Sequence, residues 1–153
     1  MIQAVANAIL EYGQEQQLQL IVPILISIVC GLLIGVYRSH KSSGVRTFML
    51  VTVGSTLFTL ASIHGFVGKN FGTVSDTARL SAQIVSGVGF IGAGLIWKTK
   101  DGLRGLTTAA GIWAAAAIGV MVGVGWHLLA MVTALLIVLI LELKKVTEKI
   151  FPQ

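Results

Sequence analysis

Acidic residues are scarce in this chain. Six Asp and Glu stand against eleven Lys and Arg in 153 residues, and charged residues make up only 11%. A soluble globular domain carries about 25%. With 55% hydrophobic residues and a mean hydropathy of +0.88, the shortage of charge excludes an ordinary water-soluble domain. So few carboxylates provide no pair for general acid–base work. HExxH, CxxC, P-loop and nucleophile-elbow motifs are all absent, so no catalytic residue and no enzyme are expected. The single cysteine, Cys30, lies inside an apolar run, which rules out an intramolecular disulfide and reads as a buried packing thiol. No Lys or Arg precedes Arg38, so the first apolar run lacks the positive segment that a cleavable signal peptide needs. The net charge of +5 does not point to nucleic acid, because the basic residues sit in short segments between apolar runs, where positive charge sets topology.

What the chain has in quantity is apolar runs of membrane length. They predict an all-α integral membrane protein with five transmembrane helices over about 18–37, 47–66, 79–97, 105–123 and 126–143. Pro23 falls in the first turns of span one, where a missing N–H matters least. Residues 1–17 form an N-terminal segment in which Ile2, Val5, Ala6 and Ile9 have helical spacing. It reads equally as a short surface helix and as a loosely ordered terminus. Residues 144–153 read as a basic cytoplasmic tail with no room for a further domain. Orientation follows from charge. Arg38, Lys41, Arg46, Lys98, Lys100, Arg104, Lys144, Lys145 and Lys149 fall on one side and Lys69 and Arg79 on the other. The basic side is cytoplasmic, so the N-terminus is outside and the C-terminus inside.

Eighteen glycines are the second abundance. In lipid the backbone must satisfy its own hydrogen bonds, so glycine-rich helices persist, and their small residues let another helix approach closely. Arg79 to Trp97 reads as the organising helix. Gly87, Gly89, Gly92 and Gly94 lie inside it, and Ala82, Ser86, Gly89 and Ala93 share one face. Span four carries Thr107, Gly111, Ala115, Gly119 and Gly123 at every fourth position, a continuous small-residue ridge. Spans three and four are therefore expected at the centre, touching through Gly89 and Ala93 on one side and Gly111, Ala115 and Gly119 on the other. Gly31 and Gly35 form a further close-contact pair, with a homodimer as one reading. Span five is uniformly bulky and expected at the periphery. The hydroxyls of span two, Thr52, Ser55, Thr56, Thr59 and Ser62, are expected to bond to carbonyls of their own helix. Gly87 to Gly94 also fits G-x-G-x-x-G, but no strand precedes it, so close packing is the reading.

One polar constellation lies near membrane depth. Asp76, Arg79 and Gln83 fall on one face of the first turns of span three, where polar residues are costly and imply a task. Asp76 is the best-placed candidate for a metal ligand; capping of the helix end, with Arg79 as its ion-pair partner, is the bland alternative. Tyr37, Arg38, Arg46, Arg104, Thr107 and Thr108 form the cytoplasmic interface.

These residues resemble a known family. D-x-x-R-x-x-A-Q-I-V-S-G-V-G-F-I-G-A-G from Asp76 to Gly94 and R-G-L-T-T-A-A from Arg104 to Ala110 are similar to the MgtC/SapB family of bacterial membrane proteins. Gly31 to Gly35, G-V-R-T from Gly44 to Thr47, and A-A-I-G-V-M-V-G-V-G from Ala116 to Gly125 fit as well. The resemblance implies a five-span inner-membrane protein tied to magnesium homeostasis or transport, low-magnesium adaptation and, in pathogens, virulence. It also implies a second reading, a regulator of a membrane partner such as ATP synthase that moves no ion itself. Magnesium would be the cargo; no resident cofactor is expected. The lipid bilayer, a homodimer and a membrane-protein partner are the expected associations. The chain departs from the family pattern at Tyr37-Arg38, where Glu-Arg is usual, and reads as a short form without the C-terminal cytoplasmic domain of many members.

Overall fold

A computed structural model describes residues 18–38, 44–64, 78–100 and 102–150. The elements are α1 (Ile21–Arg38), α2 (Val45–His64), α3 (Ala78–Gly94), a hairpin of β1 (Trp97–Thr99) and β2 (Gly102–Arg104), α4 (Leu106–Val124) and α5 (His127–Ile150). Each predicted span corresponds to one helix. The last helix runs through residues 144–150, which the sequence assigned to the tail. Asp76, Lys41 and residues 1–17 lie outside the described residues.

By length and composition, α2 and α4 are long and apolar enough to cross a membrane, while α1 and α5 contribute shorter apolar stretches, Ile21–Tyr37 and His127–Leu143. The outer surface agrees with a hydrocarbon surrounding. Leu50, Phe90 and Leu128 are 72%, 84% and 74% exposed. Large apolar side chains exposed to this degree cost nothing against acyl chains.

The centre of the bundle differs from the expectation. α4 makes extensive contact with all four other helices, and its closest companion is α2, not α3. Ile112, Ala115, Ile118 and Val122 of α4 are fully buried, and Phe48, Thr52 and Thr56 of α2 face them without exposure. The small-residue ridge of α4 explains the choice. A Cβ added at Gly119 would collide with the Thr52 carbonyl oxygen and sit 2.7 Å from Ser55 Cβ. One added at Gly123 would lie 2.6 Å from Thr59 Cβ, and one at Gly111 would lie 3.3 Å from the Phe48 ring. Close approach of this kind replaces the hydrophobic drive that helices lack in lipid.

The glycines of α1 pack against the first turns of α2. A Cβ at Gly31 would stand 2.7 Å from Met49 Cα, and one at Gly35 2.8 Å from Val45 Cα. The α1 pair therefore packs on α2 of its own chain. Among its described side chains, α5 buries only Ala130 and Ala134 fully and presents Leu135, Leu136, Leu139 and Ile140 outward, as a peripheral helix should.

α3 lies at the flank. Its contact with α4 runs through Gly92, whose added Cβ would meet Ala109 Cβ at 3.6 Å, an ordinary van der Waals distance. Gly87, Gly89 and Gly94 would meet nothing within 4 Å, and Ala82, Ser86 and Ala93 are exposed. Among the described residues, the helix packing expected of those three glycines is not made. The physical reason is rotational: Ile84, Val88 and Gly92 are buried, and they occupy the face turned away from the small-residue one.

Where the sequence suggested a plain loop after span three, the chain makes a two-stranded antiparallel hairpin, pairing Trp97 with Arg104, Lys98 with Leu103 and Thr99 with Gly102. Gly105 joins it to α4. Its φ of +91° is left-handed, and any Cβ there would collide with the Leu95 carbonyl, so only glycine fits. At the other end of α4 the chain leaves through Gly125 at φ 96°. The Gly125 N–H donates to Val122 O (3.0 Å) and the Trp126 N–H to Met121 O (2.9 Å), the paired bonds of a Schellman turn.

Candidate functional site

The polar side chains that the sequence singles out fall in three places among the described residues, each set by a different part of the fold. The first is the column of hydroxyls on α2. Thr52, Ser55, Thr56, Thr59 and Ser62 are all buried, at i, i+3, i+4, i+7 and i+10 on the face toward α4. Thr52 Oγ1 donates to Phe48 O at 2.7 Å and Thr59 Oγ1 to Ser55 O at 2.8 Å, bonds within the helix as the sequence suggested. Thr56 does more. Its Oγ1 lies 3.0 Å from Thr52 O and 2.9 Å from Gly119 O, so one hydroxyl bridges the two central helices. It reaches Gly119 because the glycine brings the α4 backbone against α2. Such a bond is worth about 0.6 kcal/mol in a membrane interior, and up to about 1.7. Ser27 of α1 closes its own bond, Oγ to Ile24 O at 2.7 Å. The hydroxyls of an otherwise apolar interior are thus satisfied largely by helix carbonyls.

The second place is the start of α3. Of the predicted trio, Arg79 and Gln83 are described. Arg79 is exposed in the first turn, and Gln83, one turn further in, is exposed on the wall of a groove between α2 and α3. The groove has a volume of about 600 Å³. Leu50, Gly54 and Phe58 of α2 face Gln83, Gly87 and Ile91 of α3 across it. It forms because α2 packs tightly on α4 and only loosely on α3. The structure therefore brings Gln83 to a cleft, which spacing alone did not reveal. Gly54 and Gly87 line its floor, and an added Cβ at either would meet nothing within 4 Å.

The third place is the end of the bundle that carries the hairpin. Lys98, Lys100 and Arg104 are exposed there, with Arg46 at the start of α2 and Thr107 at the start of α4. Thr108, one residue on, is buried. Tyr37 is half-buried near the end of α1. These residues of the predicted cytoplasmic interface do share one end of the antiparallel bundle. Among the described residues no three His, Cys, Asp or Glu side chains come together as a metal-holding group. Chemically, then, the described part offers a cationic end, an amide in an apolar groove and a hydroxyl-lined helix contact.

Comparison with known proteins places these features. The profile of the MgtC family matches residues 24–150. YhiD of Escherichia coli (strain K12), whose name provisionally assigns it to magnesium transport, is 42% identical over 125 residues, covering 78% of this chain and 57% of YhiD. Protein SapB of Bacillus subtilis (strain 168) is 40% identical over 133 residues, 83% of this chain and 57% of SapB. Protein MgtC of Brucella abortus (strain 2308) is 45% identical over 97 residues, 62% of this chain and 38% of that protein. The chain thus spans little more than half the length of YhiD and SapB. No solved structure matches it significantly.

Proposed function

The chain belongs to the MgtC family, and from that premise we propose that it is a multi-pass protein of the bacterial inner membrane serving magnesium homeostasis and adaptation to low magnesium. The observation that carries this reading is the family match itself, which runs from the first helix to the last. All five helices would cross the bilayer, with the N-terminus outside and the hairpin end cytoplasmic. The cationic residues at that end, Arg46, Lys98, Lys100 and Arg104, support this orientation.

Two modes of action fit the family, direct transport and regulation of a membrane partner such as ATP synthase. The packing of the centre favours regulation. Magnesium takes oxygen ligands in a near-octahedral set and keeps several waters. The α2–α4 contact is closed by glycine against backbone, and the hydroxyls of Thr52, Thr56 and Thr59 point at helix carbonyls. A hydrated divalent ion needs a wider, more acidic path than that. If the chain transports magnesium, Asp76 is the carboxylate best placed to meet it.

The test has two arms. A strain holding this chain as its only family member is grown across a magnesium series, and purified protein is placed in liposomes for flux of labelled magnesium. Growth rescue restricted to low magnesium, without flux, is the expected result. Flux above that of empty liposomes would overturn the regulatory mode. Absence of any magnesium-dependent growth effect would overturn the homeostasis reading altogether.

A further inference from the structure

The groove between α2 and α3 stands apart from the central packing and calls for an occupant. Its α2 side runs from Thr47 to Phe58, a rise of about 16 Å along the helix. One leaflet of a hydrocarbon core about 30 Å thick offers about 15 Å of chain. The lining is aliphatic and aromatic apart from Gln83 and the hydroxyls of Thr47 and Ser55. A single hydrocarbon chain of one leaflet matches the groove in length and in the apolar character of its lining. At one end stand two polar groups one turn apart on α3, both exposed: the Gln83 amide on the groove wall and the Arg79 guanidinium beyond it. An amide at membrane depth requires a hydrogen-bonding partner, and a guanidinium at a helix end in a bilayer is suited to phosphate.

We propose that the α2–α3 groove holds one acyl chain of an anionic phospholipid, with the phosphate on Arg79 and an ester oxygen accepting a hydrogen bond from the Gln83 amide. This assignment is independent of whether the protein transports or regulates. The lipid would wedge the loosely packed α3 against α2, completing a contact that the described side chains leave open.

The experiment is native mass spectrometry of the full chain released from detergent micelles with equal amounts of dioleoyl phosphatidylglycerol and dioleoyl phosphatidylcholine. One phosphatidylglycerol retained per chain, in preference to phosphatidylcholine, is expected. Arg79→Gln should lower phosphatidylglycerol retention about fivefold, the attraction of a single cationic side chain for an anionic lipid, and leave phosphatidylcholine unchanged. Gly54→Leu combined with Gly87→Leu fills the floor at two open positions and should abolish retention of both lipids while the melting temperature is kept. Should that double variant not fold, Gly87→Val carries the same arm. Equal retention of the two lipids by the wild-type chain, or retention unaffected by filling the floor, would overturn the proposal. A filled variant that loses a dimer while keeping its lipid would assign the groove to a second copy instead.

Discussion

Gly119→Ala is the sharpest perturbation of this bundle, because a single methyl group meets backbone rather than side chain. The new Cβ would collide with the carbonyl oxygen of Thr52 and stand 3.2 Å from its carbon and 2.7 Å from Ser55 Cβ. A helix backbone cannot rotate aside as a side chain can, so α2 and α4 must separate. Overpacking of this kind costs about 1–3 kcal/mol. Separation also lengthens the 2.9 Å bond from Thr56 Oγ1 to Gly119 O, a further loss of about 0.6–1.7 kcal/mol. Against this, alanine gains up to about 1 kcal/mol of helix propensity. The net expectation is a destabilisation of about 1–4 kcal/mol. Gly87→Ala and Gly89→Ala have the same propensity gain and no neighbour within 4 Å, so they should be neutral or stabilising. Reversible unfolding in mixed micelles, with denaturing detergent as titrant, reads all three on one scale. If Gly119→Ala proves as stable as Gly89→Ala, the α2–α4 contact is not the centre. If Gly89→Ala alone destabilises, the small-residue face of α3 has a partner after all.

Thr56→Val should cost more stability than Thr52→Val, because Thr56 bridges α2 and α4 while Thr52 bonds within its helix; equal losses of unfolding free energy would refute the bridge. Gly105→Ala should disturb the hairpin and the start of α4, since both the φ of +91° and the Leu95 carbonyl oppose a Cβ; unchanged protease sensitivity of the 97–104 segment would argue otherwise. A C-terminal fusion to a reporter active only outside the cytoplasm should be silent, and activity would reverse the proposed orientation. Asp76→Asn should leave folding and insertion intact yet remove low-magnesium growth support if the charge rather than a cap is needed; normal growth would reduce Asp76 to a helix cap, because Asn caps equally well.

The helices themselves were legible because membrane solvent simplifies the problem. Every backbone group must be paired within its own segment, so an apolar run of sufficient length has one outcome. The ridge from Gly111 to Gly123 was legible for the same kind of reason, but its partner was misjudged. The signal that names the partner is on α2. Thr52, Ser55, Thr56 and Thr59 recur at three- and four-residue spacing, a small polar face that can lie against glycine and return its hydroxyls to carbonyls. Reading those residues one at a time hid the face they make together. The hairpin was missed although Asp101-Gly102 is a turn-forming pair. Three-residue strands are too short for alternation to register, and the surrounding charges suggested an unstructured loop. The groove could not have been read at all, since it arises from the unequal distances of α3 and α4 from α2.

The misplacement of α3 carries a more general point about small residues in lipid. A glycine face permits close approach of another surface; it does not state which surface, or that one is present. On α4 the permission is used, because Gly119 and Gly123 bring backbone against Thr52 and Thr59. On α3 the face of Ala82, Ser86, Gly89 and Ala93 stays open while the opposite, bulkier face makes the contacts. Size pattern alone treats the two helices alike. What separates them is the chemistry opposite: α2 offers α4 both a shallow surface and a donor, Thr56, that accepts no substitute from a lipid tail. No helix of the described chain offers α3 such a match on its small face. The helix read from the sequence as the organising one is therefore the one whose packing the described residues leave least complete. In a membrane protein a strong small-residue pattern on a flank helix should be read as a surface still to be occupied, and assigned to the core only when a complementary face is found on another span.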